Sequence, residues 1–256
     1  MRVTRCHVDM ILAAGATIVL PDSAASHLTR VLRLREGDAC ILFNGDGHDY
    51  AARLVSVGKR EVVAEVLSKS VVSNESPLHL TLLQGIARGE KMDLILQKAT
   101  ELGVAGFVPV IAERTEVKLD AERTTRRMAH WSSVIASACE QCGRARVPQL
   151  QVAAPLAQAV AGLDAGLAKL TLDPDGELSL VSVPAPPHNT IVIAIGPEGG
   201  WSPRDRQLLQ AGGFEGLRLG PRVLRTETAG LAAIAALQAR FGDLRGLPEL
   251  RTEKSL

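Results

Sequence analysis

The sequence predicts an α/β protein in two parts, a small β-barrel domain over residues 1–72 and a domain with a parallel sheet over residues 73–256. Three observations carry this. Up to about residue 70, short β-type runs are separated by turn residues, the spacing of a small barrel or sandwich. From residue 78 onward, β-type runs alternate with stretches of helical period. These later runs are bounded by glycine and too apolar to alternate, as strands covered on both faces are. The polar stretch Ser73-Asn-Glu-Ser-Pro77 separates the two patterns and marks the boundary.

In the first part the strands are Ala39 to Phe43, Tyr50 to Val57 and Glu61 to Leu67, with turns at Asn44-Gly-Asp-Gly47 and Gly58-Lys59. One short helix starts near Asp22-Ser23 as its cap and carries Leu28, Val31 and Leu32 on one face. In the second part Leu78 to Leu83 reads as a strand, 90 to 102 as a helix, Gly106 to Ile111 as a buried strand and Ala121 to Glu140 as a long helix. The Ala/Pro-rich region 153 to 187 holds a short helix and surface loop, with a strand at Leu167 to Leu172. Thr190 to Ile195 is nearly all β-branched, a helix starts at Ser202-Pro203, Gly216 to Leu219 forms a strand, and an alanine-rich helix runs from Glu227 to Phe241.

Composition removes several classes. With 46% hydrophobic residues the chain is no disordered segment. Twenty-nine Lys and Arg against 28 Asp and Glu leave a net charge of +1, without the bulk basicity of many nucleic-acid binders. Two Trp, one Tyr and four Phe are too few for a base-stacking platform. The four cysteines are too sparse for a disulfide scaffold and fit a reduced cytoplasmic setting. Arg2 and Arg5 ahead of the apolar run Met10 to Leu20 loosely mimic a signal peptide, but His7 and Asp9 interrupt it, so the expectation is cytoplasmic. No run reaches the ~20 apolar residues of a membrane span. The six histidines are scattered, with no metal-binding spacing, so no metal is expected.

Two glycine-proline loops carry the strongest signal. Ile191-Val-Ile-Ala-Ile195 runs into Gly196-Pro-Glu-Gly-Gly200-Trp-Ser-Pro203, a strand, a glycine-rich loop and a helix, where open α/β sheets bind ligands. A plain tight turn needing positive φ is the competing reading. The loop is neither G-x-G-x-x-G nor a P-loop, which removes the specific support for nicotinamide or nucleoside triphosphate. The pattern recurs at Leu217-Arg-Leu219, Gly220-Pro221 and the helix beyond Thr226-Glu-Thr228, with Thr226 or Thr228 placed to cap it. Two such loops suggest one shared pocket.

Together with Gly85-Ile-Ala-Arg-Gly-Glu-Lys-Met-Asp-Leu94 and Gln97-Lys-Ala-Thr-Glu-Leu-Gly103, these loops resemble the ribosomal RNA small subunit methyltransferase E family of the SPOUT superfamily. His27-Leu-Thr-Arg-Val-Leu-Arg33 with Gly37-Asp38 resembles that family's PUA-like RNA-binding domain, so the likeness spans the whole chain. The resemblance implies a trefoil knot around residues 190–241, an exception to the rule against threaded loops, and a homodimer. It also implies S-adenosyl-L-methionine as cofactor and methyl transfer to N3 of a uridine in 16S rRNA of the small ribosomal subunit, near the decoding centre. By the same analogy the cofactor loops contribute Thr171 and Leu172; Gly196, Pro197, Glu198, Gly199 and Gly200; and Leu219, Gly220, Leu224, Arg225, Thr226, Thr228 and Ala229.

Uracil N3 carries a proton, so the reaction needs an acceptor for it or a partner for the anion. Arg225 is the candidate for holding the uracil oxygens, and Glu227 or Glu140 for the base. For RNA the candidates are Arg30 and Arg33 beside the first helix, Arg88 and Lys91 in the Gly85 motif, Arg114, Lys118, and Arg144 in Glu140-Gln-Cys-Gly-Arg144. Residues 114 to 146 hold seven basic against four acidic side chains, an excess that a solvated helix face also produces. Cys139-x-x-Cys142 stands at a helix end with no second pair, and inert packing is the expectation. The rival reading is an RNA-binding ribosome-assembly factor with the same fold and no chemistry; a nucleotide-dependent oxidoreductase lacks its fingerprint.

Overall fold

The computed structural model describes residues 3–117 and 120–246, which fall into two compact units. The first comprises Met1–Glu75 with Ser133–Val147, the second Ser76–Ser132 with Pro148–Leu256. No described helix is long and apolar enough to cross a membrane.

The first unit contains β1 (Arg5–His7), β2 (Thr17–Val19), the short helix α1 (Asp22–Ser26), β3 (Ala39–Phe43), β4 (His48–Val57) and β5 (Val62–Val71). The five strands pair in the order β1-β3-β4-β5-β2, antiparallel except for β1 beside β3. Two register shifts in the β4–β5 ladder, at Ala51/Ala52 and Leu54/Ser56, add the local twist by which a sheet curls around a core. Leu28, Leu42, Tyr50, Leu54, Ala64 and Val66 fill that core. Three-residue β1 and β2 are too short to show a period, and the sequence reading passes over them.

The first helix departs from expectation. Pro21, not Asp22 or Ser23, occupies the cap position, and no side chain caps the helix. After Ser26 the chain widens into a π turn over His27–Val31, closed by Leu32 N donating to His27 O at 3.0 Å. The wider turn moves residues 31 and 32 off the Leu28 face: Leu28 is fully buried, while Val31 is 66% and Leu32 40% exposed.

The stretch 133–147, assigned by the sequence to the second domain, packs in the first unit. Glu140 Oε1 accepts the His7 N–H at 2.8 Å, and Arg5 Nη2 donates to Arg144 O at 3.0 Å. Buried Arg144 grips Glu75 with two hydrogen bonds, at 3.1 Å from Nε and 2.5 Å from Nη2, and Asn74 Nδ2 donates to Gly143 O at 2.9 Å. The polar segment read as the domain boundary is thus held through residues 74 and 75.

The second unit runs β6 (His79–Gly85), α2 (Glu90–Glu101), β7 (Gly106–Ile111), α3 (Ala121–Cys142, as far as Ser132), β8 (Gln149–Leu150), β9 (Ala154–Pro155) and α4 (Leu156–Ala161). It continues through β10 (Ala168–Leu172), β11 (Leu178–Ser179), β12 (Thr190–Ile195), α5 (Pro203–Ala211), β13 (Glu215–Arg218) and α6 (Thr226–Phe241). The sheet order is β11-β13-β10-β12-β6-β7-β8, with β9 also on β7, and every pairing is parallel. Helices α4 and α5 pack together, as do α2 and α6. Central β12 is buried from Ile191 to Ile195, which explains its unbroken apolar run.

Candidate functional site

The carboxyl ends of β10, β12 and β13 and the loops that follow them enclose a cavity of about 350 Å³, within the range of small-molecule sites. Its shape begins with Gly85 at the end of β6. A Cβ there would stand 2.5 Å from Pro197 N and 2.9 Å from Gly196 C, so only glycine lets the β12 loop cross this strand. The loop then turns at Gly200, whose φ of +66° is the conformation the tight-turn reading required; the turn and the pocket are the same feature. Trp201 Nε1 donates to Thr171 Oγ1 at 3.0 Å, and Thr171 Oγ1 donates to Ala194 O at 3.3 Å, so the indole is pinned to β10 as one wall. Ser202 and Asp205 form a reciprocal capping box that starts α5 where the sequence placed it.

The second glycine-proline loop is tied to the first by a hydroxyl. Thr226 Oγ1 donates to Gly196 O at 2.6 Å and accepts from Gln84 Nε2 at 3.2 Å. This corrects the expected capping role of Thr226 or Thr228. Arg225 holds the cap position of α6 and its donor-only side chain cannot accept the helix's first N–H groups, while Thr226 is the first helical residue and its hydroxyl donates to the neighbouring loop. The first turn of α6, with its positive dipole end, therefore borders the cavity through Thr226 and Glu227.

Three carboxylates give the pocket its charge pattern. Asp173 pairs with Arg206 and accepts the Asp175 N–H at 3.0 Å. Partial burial works against its charge, but these donors outweigh it and hold its carboxyl below the ordinary value. Glu198 behaves alike: burial opposes its charge, while the Arg88 N–H at 3.0 Å, its own backbone and Lys91 at 3.4 Å keep it ionised. Glu227 differs, with a buried Oε2 that has no hydrogen-bond partner among the described residues. An unpaired buried oxygen on a cavity wall is a site for a donor the protein itself does not supply.

Of the residues assigned to the cofactor loops, all but Thr171, Gly199 and Thr228 line the cavity. Thr171 braces Trp201 from behind. Of the three catalytic candidates Arg225 and Glu227 line it, whereas Glu140 belongs to the first unit and binds the His7 N–H. Among the RNA candidates Lys91 is a lining residue paired with Glu198, Arg88 pairs with Glu116 at 2.6 Å, and Arg114 Nη1 donates to Gly199 O at 3.0 Å. Arg30 and Arg33 are exposed, with no side-chain ion pair among the described residues, and Lys118 lies outside the described residues. Sequence reading missed Trp201, Arg206 and Leu217 as walls; Trp201 and Leu217, inside the two quoted motifs, gave a signal and Arg206 gave none. Among the described residues no group of three or more His, Cys, Asp or Glu is arranged to hold a metal ion. Burial pushes the Cys139 thiol up to about 12, against a partial pull from Arg144, and leaves it without thiolate character.

The RNA methyltransferase domain family matches residues 74–238, and the RNA methyltransferase PUA domain family matches residues 20–67. Fold and site thus define an RNA methyltransferase of the SPOUT type with a PUA domain at its N-terminus. Among curated relatives, ribosomal RNA small subunit methyltransferase E of Buchnera aphidicola is 30% identical, covering 95% of this chain and 98% of that one. The Bacillus subtilis protein of the same name is 31% identical over 90% of this chain and 93% of its own length. The crystal structure of the Neisseria gonorrhoeae ribosomal RNA small subunit methyltransferase E bound to S-adenosyl methionine superposes with a TM-score of 0.91 at 40% identity, covering 95% of this chain and 100% of that chain. The chain belongs to the ribosomal RNA small subunit methyltransferase E family.

Proposed function

We propose that this protein is an S-adenosylmethionine-dependent methyltransferase of small-subunit ribosomal RNA, acting at N3 of one uridine of 16S rRNA near the decoding centre. In this reading it works in the cytoplasm as a homodimer, its segment 190–241 threaded as a trefoil knot. The observation that carries it is the cavity framed by the two glycine-proline loops and joined through Thr226, with the unpaired Glu227 oxygen on its wall. That cavity fits the cofactor's size, and its glycine loops give backbone groups close access to a ligand. The Neisseria relative was crystallised with the same cofactor.

When bound, S-adenosylmethionine supplies an electrophilic methyl group that is displaced in line and leaves a neutral thioether. The loops through Gly196, Gly200 and Gly220 hold one reactant, so most of the rate comes from fixing the reacting atoms in line. Arg225, at the cavity edge, meets the uracil oxygens as negative charge develops. Glu227 Oε2 accepts the N3 proton as the N3–methyl bond forms; Glu140 already holds a backbone N–H in the other unit. Arg30 and Arg33, with no ion pair among the described residues, take RNA phosphates.

Mapping ribosomal RNA from cells lacking the protein by mass spectrometry tests the reading, with loss of a single methyluridine from 16S rRNA as the expected result. An unchanged methylation map together with no calorimetric binding of S-adenosylmethionine would favour an assembly factor without chemistry. Arg225→Ala and Glu227→Gln should each slow methyl transfer to purified small subunits about 10²-fold. A rate within twofold of the parent removes that residue's role.

A further inference from the structure

The segment after β7 meets the glycine-rich loop and the first turn of α5 at three points. Arg114 Nη1 donates to Gly199 O at 3.0 Å. The Glu113 N–H points at both oxygens of Asp205, 3.3 and 3.4 Å away, the carboxylate that also closes the capping box of α5. The third point is steric. Gly199 has no positive φ that would demand glycine, yet a Cβ there would stand 3.0 Å from Arg114 Cβ and 3.5 Å from its Cδ. The side-chain space of residue 199 is occupied by the arginine stem. From the other side, the segment after β6 holds the same loop through the Arg88 N–H on Glu198, and the Arg88 guanidinium is engaged with Glu116.

We propose that Arg114 is a positioning residue of the cofactor loop rather than an RNA contact. Its guanidinium fixes the Gly199 carbonyl and its stem packs against the bare Gly199 backbone, setting the height at which the Gly196–Gly200 loop borders the cavity. An arginine that only gathers phosphates would need neither a carbonyl partner nor a glycine beneath it. The inference rests on the reading of this cavity as the S-adenosylmethionine site.

Calorimetric titration of S-adenosylmethionine into the full chain, Arg114→Ala, Arg114→Lys, Gly199→Ala and the Arg114→Ala/Gly199→Ala double variant tests it, beside filter binding of each to purified small ribosomal subunits. Arg114→Ala should weaken cofactor binding about three- to tenfold, Arg114→Lys should recover most of the loss, and subunit affinity should stay within twofold. Gly199→Ala should weaken cofactor binding in the parent and again in the Arg114→Ala background, because alanine keeps the Cβ that would stand 3.0 Å from the new methyl group. Unchanged cofactor affinity in Arg114→Ala, with or without a fall in subunit affinity, overturns the proposal. If the parent itself fails to bind S-adenosylmethionine, the reading of the cavity falls instead. Arg114 is exposed, so parent-like melting is expected, and the lysine variant carries the test should the alanine variant fold poorly.

Discussion

The hydroxyl of Thr226 is one small group joining the two loops, and its removal has a calculable effect. Thr226→Val keeps the shape and deletes the donor to Gly196 O at 2.6 Å and the acceptor for Gln84 Nε2 at 3.2 Å. Thr226 is 8% exposed and Gln84 1%, so the effects differ on the two sides. Gly196 O borders the cavity and regains a partner from water, a net loss of about 0.5–1.5 kcal/mol. Gln84 Nε2 keeps only Gly85 O at 2.8 Å, and a buried N–H left without an acceptor costs about 1–3 kcal/mol. Overlap between the two brings the expected total to about 2 kcal/mol. For a chain of this length, melting falls about 2–4 °C per kcal/mol, so thermal unfolding should drop by roughly 4–8 °C. Because the bond fixes one loop against the other, part of the loss should appear as S-adenosylmethionine binding weakened about three- to tenfold. Thr226→Ser, which keeps the hydroxyl, should recover most of both. A Thr226→Val protein that melts within about 1 °C of the parent and binds the cofactor within twofold would refute the view that this hydroxyl assembles the pocket.

Gly85→Ala places a methyl group against backbone atoms of residues 196 and 197, which yield far less than side chains; cofactor binding should weaken at least about tenfold and stability fall by about 1–3 kcal/mol, as calorimetry and denaturant titration will show. Burial raises the thiols of Cys6 to about 12, Cys40 to about 11 and Cys139 to about 12, so maleimide at neutral pH should label only half-buried Cys142 in the native protein and all four cysteines in denaturant, by intact mass. The lowered pKa of Glu198 fixes the sign of a pH effect: its tie to Arg88 and Lys91 is complete above the ordinary carboxylate value and is lost as pH falls through the depressed one. Cofactor affinity should therefore be flat from pH 8 to about 5 on account of this group and fall only in stronger acid, and Glu198→Gln should remove that acid limb from a calorimetric pH series.

What could be read from the sequence follows from where each kind of information is stored. Thr190–Ile195 and Gly106–Ile111 emerge at the bounds the chain pattern gave them, because a strand buried on both faces leaves no room for polar residues and glycines mark its ends. The pocket loops were legible because glycine and proline act on the backbone they belong to. The π turn at His27–Val31 was not, since its register depends on the sheet that α1 packs against. Charges were the least legible, because an arginine's role lies with its partner. Arg144 meets Glu75, 69 residues back in the chain, and Arg206 meets Asp173, 33 residues back. Counting seven basic residues between 114 and 146 therefore overstates what that stretch offers to phosphate: Arg114 is turned onto the Gly196–Gly200 loop, Arg123 onto Asp120, Arg126 onto Glu122 and Arg144 onto Glu75. The near-neutral charge of the whole chain and this internal pairing point the same way. In the proposed reading exposed guanidinium groups such as Arg30 and Arg33 supply the attraction for RNA, so binding to ribosomal RNA should fall with salt on a shallow slope that counts few phosphate contacts.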